Sequence, residues 1–234
     1  MRVRLRFSEL GRVRFVSHRD MARLWERAIR KAQLPIAYSE GFSPRPRVHF
    51  GLALSVGHES EAEYLDIDLT EDVDVVALPG LLTPCLPDGV DVTAAVEVAF
   101  NESSLQSIVD VVSWQFEVLG DPDTIAAQVE RHLASDRIDI TISRKGTDQA
   151  ADLRPALVEL AVGDPVDGGV ELRCELATKP RSFRPAELLA SFDPPLGERR
   201  VRRIEQWIIH DDGIRRPPVP ARSSSPPEPV LQVG

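Results

Sequence analysis

Six arginines in the first fifth of the chain, Arg19, Arg23, Arg27, Arg30, Arg45 and Arg47, have the type and spacing that most directly suggest a chemistry. The first four share one face if the segment is helical, and the last two lie on the loop after it. Guanidinium groups in that arrangement suit phosphates spaced along an RNA strand, because each planar fork donates two bonds to one phosphate and can also stack on a base. Tyr38 and Phe42 flank the loop and would add stacking platforms worth about 1–3 kcal/mol per base if exposed. The competing role for Phe42 is to anchor the loop in the core. Gly41 permits a left-handed backbone, and Pro44 and Pro46 stiffen the chain beyond it, which would present Ser39, Ser43 and Arg45 in a fixed geometry.

A second set is the histidines His18, His49 and His58, which with Asp20 or Glu61 could supply a general base or a metal site. No compact zinc pattern surrounds them, so no metal is expected, and His18 is the best single candidate for acid or base chemistry. Ser17 beside it reads as a helix cap, not a nucleophile. The acidic run Glu61, Glu63, Asp66 and Asp68 reads as a solvated sheet face that neutralises nearby arginines. No phosphate-binding P-loop, dinucleotide glycine pattern or cysteine triad for a radical cluster occurs, so no cofactor is expected.

These groups need elements to hold them. Arg2 to Phe7 alternates basic and apolar residues as a strand with one buried face would, and Arg12 to Val16 resumes the pattern. Ser17 with Asp20 marks a helix start, after which Leu24, Trp25, Ala28, Ile29 and Ala32 form an apolar stripe that ends before Pro35. Strand patterns at 48–56 and 61–69, a weak helix at 73–82 and a strand at 90–100 complete a β-α-β-β-α-β order. The same order returns as a strand at 113–119, a helix capped by Asp121, strands at 138–143, 157–162 and 170–177, a short helix at 185–191 and a strand at 201–209. The expected fold is α+β, with two tandem ferredoxin-like domains at 1–103 and 104–212, each an antiparallel sheet. A disordered Pro/Ser-rich tail is expected at 213–234.

Composition sharpens the first clue. The chain has 234 residues and a net charge of −9, yet residues 1–50 hold 12 Lys/Arg against 4 Asp/Glu, leaving 16 against 33 elsewhere. A basic patch on an acidic body binds a polyanion at one place and repels it everywhere else. Its plain alternative is a basic helix face paired with acids of the other half. Cys85 and Cys174 are the only two cysteines, too few for a disulfide framework, and no stretch is apolar enough for a membrane helix. A cytoplasmic location is expected.

Several motifs together resemble the radical SAM-linked protein family: strand one, Ser17-His18-Arg19-Asp20, Leu34-Pro35, the run from Tyr38 to Pro46, and the run from Gly57 to Asp66. The likeness extends more weakly to Asp152-Leu153-Arg154-Pro155 and to Arg202-Arg203-Ile204. It implies a radical SAM enzyme as partner, fused or separate. Members often carry His where Arg45 stands, which argues against an obligatory catalytic or metal role for that position. A looser likeness, in element order alone, is to the CRISPR-repeat endoribonucleases.

The resulting expectation is a non-catalytic RNA-binding or substrate-presenting module that serves a radical SAM enzyme acting on tRNA or ribosomal RNA. Two alternatives accompany it: a metal-independent endoribonuclease using His18, and a protein adaptor whose arginine face docks the radical SAM partner.

Overall fold

The computed structural model describes residues 1–144 and 147–220. In chain order the elements are β1 (Arg2–Glu9), α1 (His18–Lys31), β2 (Val48–Phe50), β3 (Glu59–Asp68), α2 (Leu78–Leu82), β4 (Val92–Val98), α3 (Leu105–Ile108) and β5 (Val111–Leu119). Beyond these come α4 (Pro122–Ala134), β6 (Asp139–Arg144), β7 (Thr147–Asp152), β8 (Leu157–Val166), β9 (Gly169–Ala177), α5 (Pro185–Ala190), β10 (Gly197–Ile209) and β11 (Arg215–Arg216). The fold is α+β, dominated by antiparallel strands. Among the described residues, no helix is long and apolar enough to cross a membrane.

Strands of both halves join in one nine-stranded sheet with the main path β4-β1-β3-β10-β5-β9-β8, where separate sheets were expected. The join is made at β3. β1 occupies one edge of it; on the other edge β2 pairs with Leu65–Ile67, while β10 pairs in parallel with Glu59 and Ser60. The first half therefore runs β4-β1-β3-β2 and the second β10-β5-β9-β8, so each half places its sheet strands in the order fourth, first, third, second. The β6-β7 hairpin is an insertion outside the main sheet.

Hydrophobic burial explains the helix-bearing side. Val3, Leu5 and Phe7 of β1, with Leu65 and Ile67 of β3, pack under Met21, Trp25 and Ile29 of α1. Trp114, Phe116, Leu172 and Leu176 form the matching core of the second half with Ile125, Val129 and Leu188.

Three further expectations need correction. Arg12 to Phe15 is not a strand: the chain leaves β1 and coils into a 3₁₀ turn over Gly11–Phe15, with Gly11 at φ 70°. β1 is buried on both faces, and on the opposite side of the first-half sheet Leu105 of α3 and Val219 pack with Ala62 and Tyr64 of β3 and Ala94 of β4. Arg4, 1% exposed, consequently donates Nε and Nη2 to Asp66 at 2.8 and 3.0 Å, and Arg2 donates Nε to Asp68 at 2.6 Å. Arg6 meets Glu205 at 2.8 Å, whose other oxygen accepts from the Tyr64 hydroxyl at 2.6 Å. The acidic face of β3 is thus a buried ion-pair ladder, not a solvated surface.

The third correction concerns the tail. Residues 213–220 are ordered against the sheet: β11 pairs with Ile208 and Ile209, and Val219 is fully buried. The remainder of the segment, 221–234, lies outside the described residues. Truncating Val219 to Ala should lower stability by about 1–2 kcal/mol through the methyl contacts it removes, as read by urea unfolding; a change within about 0.5 kcal/mol, the usual range for a surface site, would contradict it.

Candidate nucleic-acid interface

α1 begins where Ser17 Oγ accepts the Asp20 N–H at 3.2 Å and donates to the Asp20 carboxylate at 2.8 Å. With one side of the helix committed to the core, Arg19, Arg23, Arg27 and Arg30 fall within an arc of about 80° on the other, at 100° per residue, and all four are exposed. Arg23 pairs with Asp20 at 3.0 Å. Arg19, Arg27 and Arg30 form no ion pair within 4 Å among the described residues, although Arg19 is near enough to help lower the Asp20 carboxyl. Arg19 stands in the first turn, where the helix dipole disfavours a cation, so helix stability does not account for its placement.

The loop after α1 is closed by paired contacts: Ser39 N–H donates to the Arg45 carbonyl at 2.8 Å, and Arg45 N–H returns to Ser39 Oγ at 3.0 Å. Gly41 adopts φ 120°, as the left-handed turn requires. Phe42 is fully exposed and Tyr38 about half exposed, so Phe42 does not anchor the loop. Pro44 and Arg45 are exposed beside it, with Pro46 partly covered.

Arg47 does not join the α1 face. Val48 and Phe50 face the α1 core opposite Ile67 and Leu65, so the alternation of β2 turns Arg47 and His49 to the other side. There they approach Asp68 at 3.8 and 3.7 Å. Arg14, too, is removed from the basic surface: it donates to Glu59 at 3.1 Å, and the same carboxylate accepts from the Gly11 N–H and Arg202, each at 3.0 Å. Burial would raise the Glu59 carboxyl, but these bonds outweigh it and hold the group below its usual range. The exposed basic surface of the first fifth outside Arg47 is therefore α1, the loop tip and Arg12, less than the charge count implies.

The three histidines are dispersed. His49 lies behind the sheet with Asp68, and His58 is buried against Trp114, where burial lowers its pKa despite Glu198 at 3.6 Å. His18 is exposed at the start of α1, edge-on to Phe50. It opens onto a narrow cleft that also contains Glu9 and Glu63. Among the described residues, no group of three or more His, Cys, Asp or Glu side chains is arranged to hold a metal.

That cleft leads to a buried charged set that composition and spacing did not single out. Arg203, 3% exposed, donates to Glu63 at 2.7 Å and to the carbonyls of Leu52 and Ala53 at 2.9 and 3.1 Å. Burial raises the Glu63 carboxyl against the pull of Arg203. Burial, and then Glu63, push the Glu9 carboxyl up to about 8, so at neutral pH Glu9 carries a proton. Parity was the available signal: Glu63 alternates in step with Leu65 and Ile67 and so had to face inward.

A family model described as uncharacterized proteins conserved in bacteria (DUF2344) matches residues 2–185. The chain belongs to this family. No curated protein matches it. The DUF2344 span contains the α1 arginines, the Gly41 loop, Glu9 and Glu63. It stops within the first turn of α5, before β10, the strand that fuses the two halves and supplies Arg203.

Proposed function

We propose that this DUF2344 protein is a non-catalytic RNA-binding module that presents tRNA or ribosomal RNA to a radical SAM enzyme in the cytoplasm. The observation that carries the reading is the row Arg19, Arg27 and Arg30: exposed, on one helix face and in no close ion pair among the described residues, on a protein of net charge −9. Such a row attracts phosphate while the surrounding acidic surface repels it, which favours one binding orientation. Arg23, Arg45, Tyr38 and the exposed Phe42 extend the surface with further donors and a stacking ring. Arg47 is dropped from the contact set because it points behind the sheet.

Support for two ferredoxin-like units, divided near 103, is the repeated strand order of the halves. The radical SAM partner is supported by the motif resemblance at 17–20, 38–46 and 57–66. The double substitution Arg27→Glu, Arg30→Glu should weaken binding of a short single-stranded RNA by about tenfold or more at low salt. Arg131→Glu on the exposed side of α4 should change it less than about twofold. Equal effects of the two would contradict the assignment.

One observation favours a second reading. His18 shares its cleft with Glu9, whose carboxyl burial pushes up, and a histidine beside a carboxyl group is what metal-independent RNA cleavage needs. Cleavage of labelled RNA in chelator, abolished by His18→Ala while binding persists, would replace the first reading with this one.

A further inference from the structure

A cavity of about 480 Å³ lies where the two halves meet, between the segment after β2 and the start of α5. Its volume falls within the range of small-molecule sites. Val112, Trp114, Leu176 and Phe183 give it apolar walls, and its charged lining residues are Arg184 and Arg203, with no carboxylate among them. That composition is unusual here, because residues beyond the first fifth carry 33 acidic against 16 basic side chains. Arg184 is exposed and has no ion-pair partner among the described residues. Arg203 is held by Glu63 and two backbone carbonyls, yet its Nε–H is buried without an acceptor. That Nε–H has no accessible surface, so it marks a polar group without an acceptor beside the cavity and not a contact that a ligand reaches directly.

We propose that this cavity binds a single nucleotide, its base against the apolar walls and its phosphate on the exposed Arg184. Flat apolar surface beside an unneutralised guanidinium fits a planar ring that carries an anion, and fits neither a cation nor a neutral sugar. The nucleotide has two possible sources: a free mononucleotide, or one unstacked residue of a bound RNA. The second rests on the function proposed above; the first does not. Geometry permits the second, since the Glu63–Arg203 pair places the cavity walls and α1 on the same side of the sheet.

The test is calorimetric titration of the full chain with uridine monophosphate, adenosine monophosphate and inorganic phosphate, alongside binding of a short labelled RNA. It is repeated with Arg184→Glu and with Ser182→Trp, an exposed lining residue whose enlargement fills the cavity. Near-ultraviolet circular dichroism checks that both variants keep the native fold. For a free nucleotide, saturable mononucleotide binding should fall about tenfold or more in both variants, and phosphate alone should bind far more weakly. For an RNA residue, mononucleotides bind weakly and the RNA affinity falls in both variants. Phosphate binding as tightly as the nucleotides, or both variants behaving as the parent toward both ligands, overturns the proposal. If RNA binding is lost in Arg27→Glu, Arg30→Glu but not in the cavity variants, and mononucleotides do not bind, the cavity proposal fails alone. If mononucleotides bind and RNA does not, the RNA reading fails alone.

Discussion

Replacing Arg203 by Met should destabilise the protein by about 3–5 kcal/mol, the range for removing one partner of a buried ion pair. The arginine side chain is 3% exposed and its Glu63 partner 7%, so water cannot replace the lost charge. The substitution also strips the carbonyls of Leu52 and Ala53 of their donors and removes the guanidinium lying 4.8 Å from the Trp114 ring centre. Because β10 is the strand that joins the halves, the damage falls on the sheet junction. A second substitution, Glu63→Leu, should recover more than half of the loss, since an uncharged pair needs no counter-ion. Urea unfolding of the two single variants and the double one gives the coupling directly. A loss below about 1 kcal/mol in Arg203→Met, within the range of an exposed pair, would show that the pair does not hold the junction.

Stability should fall as pH rises from about 6.5 to about 8, by roughly 2 kcal/mol from Glu9 alone, and Glu9→Gln should remove that share of the fall. Proton counts set the sign. Glu9 keeps its proton in the folded protein up to about 8, against 4.5 for its ordinary value. Between those limits the folded state holds a proton that the unfolded state has released, so stability decreases with each pH unit. Glu63, raised by burial, acts in the same direction. Groups shifted downward act at lower pH. His58 and His132, lowered by burial, add stability as pH climbs to about 6.5, their ordinary value. Glu59, Asp68 and Asp110, held low by their partners, lose their contribution only in acid. The window above 6.5 therefore isolates the buried glutamates. Chemical unfolding at a series of pH values reads it; a flat profile there, or an unchanged slope in Glu9→Gln, would contradict the assignment.

Features that depend on local periodicity could be read in the sequence. Ser17 before Met21, Trp25, Ala28 and Ile29 marks α1 because cap and stripe lie within four turns, and Asp121 with Pro122 marks α4 in the same way. The cover over a strand cannot be read so. The arginines of β1 alternate like a solvent face, yet Asp68, Asp66 and Glu205, far away in sequence, pair with them on a side of the sheet where Leu105 and Val219 pack, and polarity alone does not reveal that. The polar hairpin strand β7, Thr147–Asp152, has no apolar alternation to betray it and exists through its pairing with β6. Within the candidate site, the α1 row was legible and the loop tip largely so. Arg47 groups with the others by nearness in sequence, although its parity against Val48 separates them. Arg203 lies 140 residues from Glu63, and only the parallel contact of β10 with β3 brings them together.

The most direct test of the RNA interface is the salt dependence of RNA affinity in the wild type and in the variant with Arg19, Arg23, Arg27 and Arg30 all changed to Gln. With four phosphates neutralised on a single strand, the slope of log affinity against log salt should be about −3, and the variant should lose most of it. A wild-type affinity indifferent to salt, or an unchanged slope in the variant, would show that the α1 face is not where the polyanion binds.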